Sequence, residues 1–202
     1  MEKKPKYKIG RRLGAGVFEK CQTQKFVMSQ ARKTKNASAK RPKPLSEYGK
    51  QLIEKQKIRY SYGLNERQLS NYVKEASLVK GMPIQDKLFE MLESRLDNVV
   101  YRLGLAHTRR LARQMVSHGH FTVNGVRTTV PSYRLQVGDV VGIREGSKGS
   151  ALFANLGERL KTYSWPTWVT LDLAKGQGTV SGKPKNTEGF LNIPSVLEFY
   201  SR

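Results

Sequence analysis

The chain has 202 residues, 38% of them hydrophobic, a single cysteine and a formal net charge of +21. That length suits one or two small domains, no apolar run approaches the ~20 residues of a membrane span, the Lys-rich start does not read as a secretory signal, and one cysteine excludes an internal disulfide or a multi-cysteine zinc site, so the cytosol is the simplest location. Charge of this size speaks about partners, and residues 1–45 lack the periodicity of a basic membrane-surface helix, which leaves nucleic acid as the favoured polyanion.

Lys3, Lys4, Lys6, Lys8, Arg11 and Arg12 open the first segment, and Arg32, Lys33, Lys35, Lys40, Arg41 and Lys43 close it. Glu2 and Glu19 are its only acids. A segment so polar does not fold well alone. It is expected to be a basic arm that orders on a phosphate backbone.

Pro42 and Pro44 end the arm, and Ser46 caps a helix expected to run to about Arg59, with Leu52 and Ile53 as its apolar face. Tyr60 to Gly63 breaks it. Asn65, with Gln68 at the capping-box position, starts the next helix, which carries Leu69, Tyr72, Val73 and Ala76. Gly81-Met82-Pro83 closes that one. A single helix is then expected over about 85–103, because Leu88, Leu92, Leu96, Val99 and Leu103 recur on one helical face, widened by Phe89 and Val100. Arg95, Asn98 and Arg102 line one shoulder of it.

Thr108 caps a further helix to about Ser117. Leu111, Ala112 and Met115 share one side, and Arg109, Arg110, Arg113 and Ser117 the other. Gly119 is its natural stop. Phe121 to Val130 alternates around Asn124-Gly125, the strongest short hairpin signal. Leu135 to Val137, a Gly138-Asp139 turn and Val140 to Arg144 supply further strand. After the Gly146 to Ser150 break, Leu152, Phe153, Leu156 and Leu160 suggest a short helix. Trp168 to Leu171 and Thr179 to Ser181 read as strands, and Leu197 to Tyr200 as a final apolar cluster. There is no internal repeat.

These elements make an α+β chain: a helical N-terminal domain, then a helix–helix–β-hairpin RNA-binding module with a small mixed or antiparallel sheet. The expected divisions are a basic arm (1–45), a helical domain (46–88) joined by the C-terminal segment 185–202, the module (89–150), and an extension with a short helix and strands (151–184). The informative part is the basic helix after Thr108. Arginine makes planar, bidentate contacts to phosphate and stacks on bases. Its three arginines continue into Arg95 and Arg102, and Thr108, His118, His120 and Asn124 add polar donors. Such a two-helix cationic wall suits RNA, whose shape and phosphate positions are read more than its base edges.

The run from Arg95 to Gly104, RLDNVVYRLG, and that from Thr108 to Gly125, TRRLARQMVSHGHFTVNG, closely resemble the RNA-binding module named after bacterial small-subunit ribosomal protein S-four. The flanks also resemble that family: Tyr62 to Leu69 (YGLNERQL), Pro131-Ser132-Tyr133, and the ending Leu197 to Arg202 (LEFYSR). The resemblance is strong over residues 40–145 and at the extreme C-terminus, and looser over 1–40 and 146–190.

The resemblance implies a structural, non-enzymatic subunit of the small ribosomal subunit. Its partners would be the 5′ domain of small-subunit rRNA, bound early during assembly, the neighbouring fifth small-subunit protein, and mRNA where it enters, with an influence on decoding accuracy. A membrane, a cofactor and a free homo-oligomer are not expected. Carried over by position, Arg95, Arg102, Thr108, Arg109, Arg113, Ser117, His118 and His120 are RNA-facing. Arg110, Gln114, Asn98 and Asn124 complete the module's candidate set, and Arg11, Arg12, Lys50, Lys57, Arg59 and Arg67 are candidates in the N-terminal part. Many members of the family hold zinc through four N-terminal cysteines. Only Cys21 is present here, so no zinc is expected.

Other readings are weaker. Arg95-Leu96-Asp97 resembles the catalytic Asp motif of pseudouridine synthases, but no catalytic domain accompanies it. His107, His118 and His120 have no cysteine or carboxylate at ligand spacing. Gly14-Ala15-Gly16 lacks the Gly-Lys-Ser/Thr of a phosphate loop. Trp165 and Trp168 could stack on bases or pack under a loop around Pro166. A free-standing ribosome-rescue or heat-shock factor is the runner-up. A DNA-binding helix-turn-helix is disfavoured by the hairpin after Gly119.

Overall fold

In this computed structural model, residues 6–36, 44–161, 163–172, 175–186 and 190–201 are described. In chain order the helices and strands are α1 (Lys6–Leu13), α2 (Gln24–Asn36), α3 (Glu47–Ser61), α4 (Glu66–Leu78), α5 (Ile84–Glu93), α6 (Leu96–Arg102), α7 (Arg109–Ser117), β1 (Phe121–Val123), β2 (Val126–Arg127), β3 (Val140–Ile143), α8 (Leu156–Lys161), β4 (Val169–Asp172), β5 (Gln177–Val180) and α9 (Ile193–Tyr200). They fall into two compact units: Met1–Leu78 with Thr187–Arg202, and Val79–Asn186.

The first unit is helical among the described residues. Local side chains start its helices. The Ser46 hydroxyl accepts from Gly49 N at 3.2 Å, capping α3. Asn65 and Gln68 form a reciprocal box: Gln68 N donates to Asn65 Oδ1 at 2.8 Å, and Asn65 N donates to Gln68 Oε1 at 3.3 Å. Asn192 caps α9 through Ser195 N.

The expected arm departs from its sequence reading. It holds α1, α2 and two 3₁₀ turns (Ala15–Val17 and Glu19–Cys21), and buries Leu13, Val17, Cys21 and Phe26. Those apolar residues are too few for a core of their own. They are completed from α3, where Tyr60 meets the ring of Phe18 edge-on at 6.4 Å. Each large apolar side chain so buried contributes about 1.5–3 kcal/mol. Lys3, Lys4, Lys40, Arg41 and Lys43 lie outside the described residues.

α9 closes this unit against α3 and α4. Gln51 donates to Glu198 Oε2 at 3.0 Å. The buried Lys55 ammonium lies 4.2 Å from the ring centre of Phe199 and 2.9 Å from Glu66 Oε1. Tyr200 donates its hydroxyl to the same oxygen at 2.8 Å.

In the second unit the single helix expected over 85–103 is two, α5 and α6, broken at Ser94-Arg95. Arg95 is extended (φ −65°, ψ 137°). The break comes from a distant segment that takes up its backbone groups. Leu96 N donates to Tyr133 O at 2.8 Å, Asp97 N to Pro131 O at 3.1 Å, and Leu135 N to Ser94 O at 2.9 Å. The leucine spacing still marks burial: Leu88, Leu92, Leu96, Val99 and Leu103 are all fully buried, the last three in the core shared with the sheet. Leu135 is buried there, but 135–137 is not a strand; Arg134 pairs with Arg95 in an isolated β-bridge.

The sheet is antiparallel throughout, in the order β2-β1-β3-β5-β4. Asn124 (φ 50°) and Gly125 (φ 82°) form the hairpin turn, whose two positive φ angles explain why Asn-Gly signals it. The expected 151–184 extension lays β5 against β3, with Val141 opposite Gly178, so it extends the module's own sheet. α6 and α7 cover this sheet. Leu96, Val99, Val100, Leu103, Ala112, Met115 and Val116 pack with Phe121, Val123, Val141, Val169 and Val180.

Candidate nucleic-acid interface

α7 owes its start to Thr108, whose hydroxyl accepts from Leu111 N at 3.1 Å. It ends in a Schellman motif: Gly119 N donates to Val116 O at 2.8 Å and His120 N to Met115 O at 3.2 Å, with Gly119 at φ 75°. Between these caps Ala112, Met115 and Val116 are buried. Two polar edges remain, and they differ.

The inner edge carries Arg109 and Arg113. Arg113 donates from Nε to Asp97 Oδ2 at 2.8 Å, and its Nη2 lies 2.7 Å from the same oxygen. Arg95 grips the same carboxylate as a fork, Nε to Oδ1 at 3.1 Å and Nη2 to Oδ2 at 3.0 Å. Arg109 donates from Nε to Asn98 Oδ1 at 2.7 Å and stacks 4.5 Å from the ring centre of Tyr101. Asn98 donates to Glu93 Oε2 at 3.0 Å. Arg102 pairs bidentately with Glu93, at 2.8 and 3.1 Å. Two buried carboxylates thus organise four arginines between α5, α6 and α7.

This corrects the sequence reading of the cationic wall. Arg95 is 1% exposed and Asn98 2% exposed, so neither can face RNA in the folded module. A buried guanidinium requires a carboxylate, and the Arg-Leu-Asp order supplies one two residues away. Arg102, Arg109 and Arg113 are partly exposed, but their guanidinium groups are engaged internally. Arg109 and Arg113 sit opposite Leu111, Ala112 and Met115 in the sequence reading, yet both reach back to buried polar groups and so take part in the packing between helices. Asp97 has its oxygens filled by guanidinium groups, an arrangement for holding helices together. Sequence reasoning missed Glu93. It falls at the margin of the apolar face, in line with Asp86, Glu90 and Asp97, so nothing in the sequence separates it from a solvated acid.

The outer edge of α7 carries Arg110, Gln114, Ser117 and His118, all exposed. His120 lies inward of them, with Nδ1 3.0 Å from the buried Ser147 hydroxyl and its ring edge-on to Phe153. Asn124 is exposed but structural. It donates to Asp139 Oδ1 at 2.9 Å and accepts from Val140 N at 2.9 Å, tying the hairpin turn to β3. Trp168 is buried, and Trp165 donates its indole N–H to Leu103 O at 3.1 Å, so both pack against the module.

In the helical unit Arg11, Arg12 and Arg67 are exposed. Arg11 lies 5.9 Å from the Phe26 ring centre. Lys50 pairs with Glu47 on the surface. Lys57 pairs with Glu54 and covers the Phe190 ring, and Arg59 pairs with Glu66 and covers Tyr60. Burial alone would raise the pKa of Glu66, but hydrogen bonds from Lys55, Tyr200 and Arg59 outweigh it and hold the carboxyl below its ordinary range. Tyr200 is pushed above its ordinary value by burial and then by Glu66.

The residues present do not fit the zinc site of cysteine-rich relatives. Cys21 is fully buried, and burial raises its pKa despite nearby Arg11 and Lys6. One protonated thiol cannot replace four thiolates.

Comparison with known proteins extends over nearly the whole chain. Residues 2–93 match the family described as ribosomal protein S4/S9 N-terminal domain, and residues 94–141 match the S4 domain. The chain is 43% identical over 204 residues to small ribosomal subunit protein uS4 of Halalkalibacterium halodurans, covering 98% of this chain and 97% of that one. It is 44% identical over 200 residues to that of Brevibacillus brevis and 42% over 202 residues to that of Chloroflexus aurantiacus, with the same coverage. With both family regions matched end to end and relatives aligned over nearly their full length, the chain belongs to the uS4 family of small ribosomal subunit proteins.

Proposed function

We propose that this protein is a structural constituent of the small ribosomal subunit that binds small-subunit rRNA directly through the outer edge of α7. The observation that carries this reading is the sorting of charge on that helix. Arg109 and Arg113 are anchored to buried acids, while Arg110, Gln114, Ser117 and His118 stay exposed along one edge. A rigid cationic edge on a well-packed support suits recognition by shape and phosphate position. Arg11, Arg12 and Arg67 supply exposed cations in the helical unit.

Family membership supports the finer assignment: binding to the 5′ domain early in assembly, a place beside the fifth small-subunit protein where mRNA enters, an influence on decoding accuracy, and the cytoplasmic ribosome as working location. The role is architectural rather than catalytic. Sedimentation of a cell lysate tests it. The protein should travel with small subunits and their precursors, and its absence from those fractions would overturn the reading. Binding of purified protein to the isolated 5′-domain RNA should weaken steeply with salt. A flat salt dependence would remove the electrostatic argument.

A further inference from the structure

Every cation between Lys87 and Lys148 is an arginine, and there are eight: Arg95, Arg102, Arg109, Arg110, Arg113, Arg127, Arg134 and Arg144. Four are held by Glu93, Asp97 and Asn98. Arg127 is a different case. It is exposed on the short strand β2, directly across from Thr122 of β1. It makes no ion pair with a carboxylate among the described residues. Its guanidinium is nevertheless placed. Its Nε and Nη2 edge is turned toward Gly119, so closely that a Cβ at that position would collide with Nε and Nη2 and come within 2.9 Å of Cζ.

Gly119 is needed twice, for its positive φ in the Schellman motif and for the space above it. Its neighbours Ser117 and His118 are exposed at the same end of α7. That end matters electrostatically. A helix C-terminus carries partial negative charge and repels phosphate on its own. A guanidinium brought up to it reverses the local sign, and with the Nε–Nη2 edge turned toward Gly119 the N–H groups of the Nη1 side remain for phosphate oxygens.

We infer that Arg127, seated on Gly119 beside Ser117 and His118, forms a phosphate-binding site for the RNA backbone at the C-terminal end of α7. This rests on the proposed rRNA binding by the outer edge of that helix. It adds a hairpin residue to the interface and extends the RNA path past the helix end onto the hairpin.

The test measures affinity of the full chain for small-subunit 5′-domain RNA across a potassium chloride series, with thermal melting alongside. Arg127→Ala should reduce the slope of log K against log salt by about one, the signature of one lost phosphate contact, with little change in melting. Arg127→Lys should restore the slope while leaving affinity below wild type, because the point charge lacks the fork. An unchanged slope in Arg127→Ala, or an affinity loss accompanied by a matching drop in melting, would reduce Arg127 to a cap on α7 and overturn the inference. Failure of the wild-type chain to bind the RNA would instead overturn the proposed function, so the two failures are distinguishable.

Discussion

The Arg113 guanidinium reaches Asp97 with Nη2 2.7 Å from Oδ2, and Arg95 shares that oxygen with its own Nη2 at 3.0 Å. The basic helix α7 is therefore fastened to α6 by the charges that a charge map would assign to RNA. Asp97 is the centre of that fastening. Replacing it with Ala leaves Arg95 buried without its counter-charge and should cost about 3–5 kcal/mol. Urea unfolding of the full chain checks this. If removing the acid instead left stability unchanged and tightened RNA binding, these arginines would be binding groups after all.

The two edges of α7 should separate in mutagenesis. Arg110→Ala should change stability by less than about 0.5 kcal/mol, as ordinary surface substitutions do, and weaken binding to rRNA. Arg109→Ala with Arg113→Ala should lower the melting temperature markedly, because Glu93, Asn98 and Asp97 each lose one of their arginine partners. Equal melting temperatures for the two variants would contradict the division into inner and outer edges.

Glu66 makes the helical unit sensitive to acid. Its carboxyl sits below the ordinary 4.5 because the donors Lys55, Tyr200 and Arg59 outweigh the burial that alone would raise it. A depressed carboxylate contributes stability that is fully present above about pH 4.5 and is lost as pH falls through the lowered value. Tyr200, raised by burial and by Glu66, contributes stability below its ordinary 10 that is lost as pH climbs past it. Melting followed across pH should show both limbs, and Glu66→Gln should flatten the acidic one.

The reciprocal box at the start of α4 gives a smaller effect. Asn65→Ala removes the side-chain acceptor of Gln68 N and should destabilise the helical unit by about 1 kcal/mol. Hydrogen exchange of the first amides of α4 should rise in that variant. Unchanged exchange would show that the box contributes little.

Zinc is expected to be absent from the protein as purified. Elemental analysis should find less than stoichiometric metal, and a chelator should leave melting unchanged. Cys21→Ser should bind RNA normally but fold less stably, because a hydroxyl would replace a fully buried thiol packed in the N-terminal core.

What could be read from the amino acids was local. Ser46, Asn65 and Thr108 cap amides three residues away, and the positive φ angles of Asn124-Gly125 turn the chain on the spot, so these roles were legible. The leucine spacing from Leu88 to Leu103 correctly marked a buried face. It could not show the break at Ser94-Arg95, whose cause is the segment from Pro131 to Leu135, far along the chain. The order of fold in residues 6–36 was hidden for a similar reason: Phe18 finds its neighbour in Tyr60. The candidate RNA-facing residues were the least legible part. Counting arginines located the module, but which of them face outward depends on where Glu93 and Asp97 are buried, and that is a property of packing.

The position of α9 bears on how the chain comes to be folded during its own synthesis. The partners of Lys55 include Phe199 and Tyr200, which are made after all the other described elements. The unit whose residues are synthesised first is thus completed last, while Val79–Asn186 has all its strands and helices earlier. Domains generally fold as units while the chain emerges, so the unit holding α7 can take up its structure, and meet RNA, before the helical unit has closed.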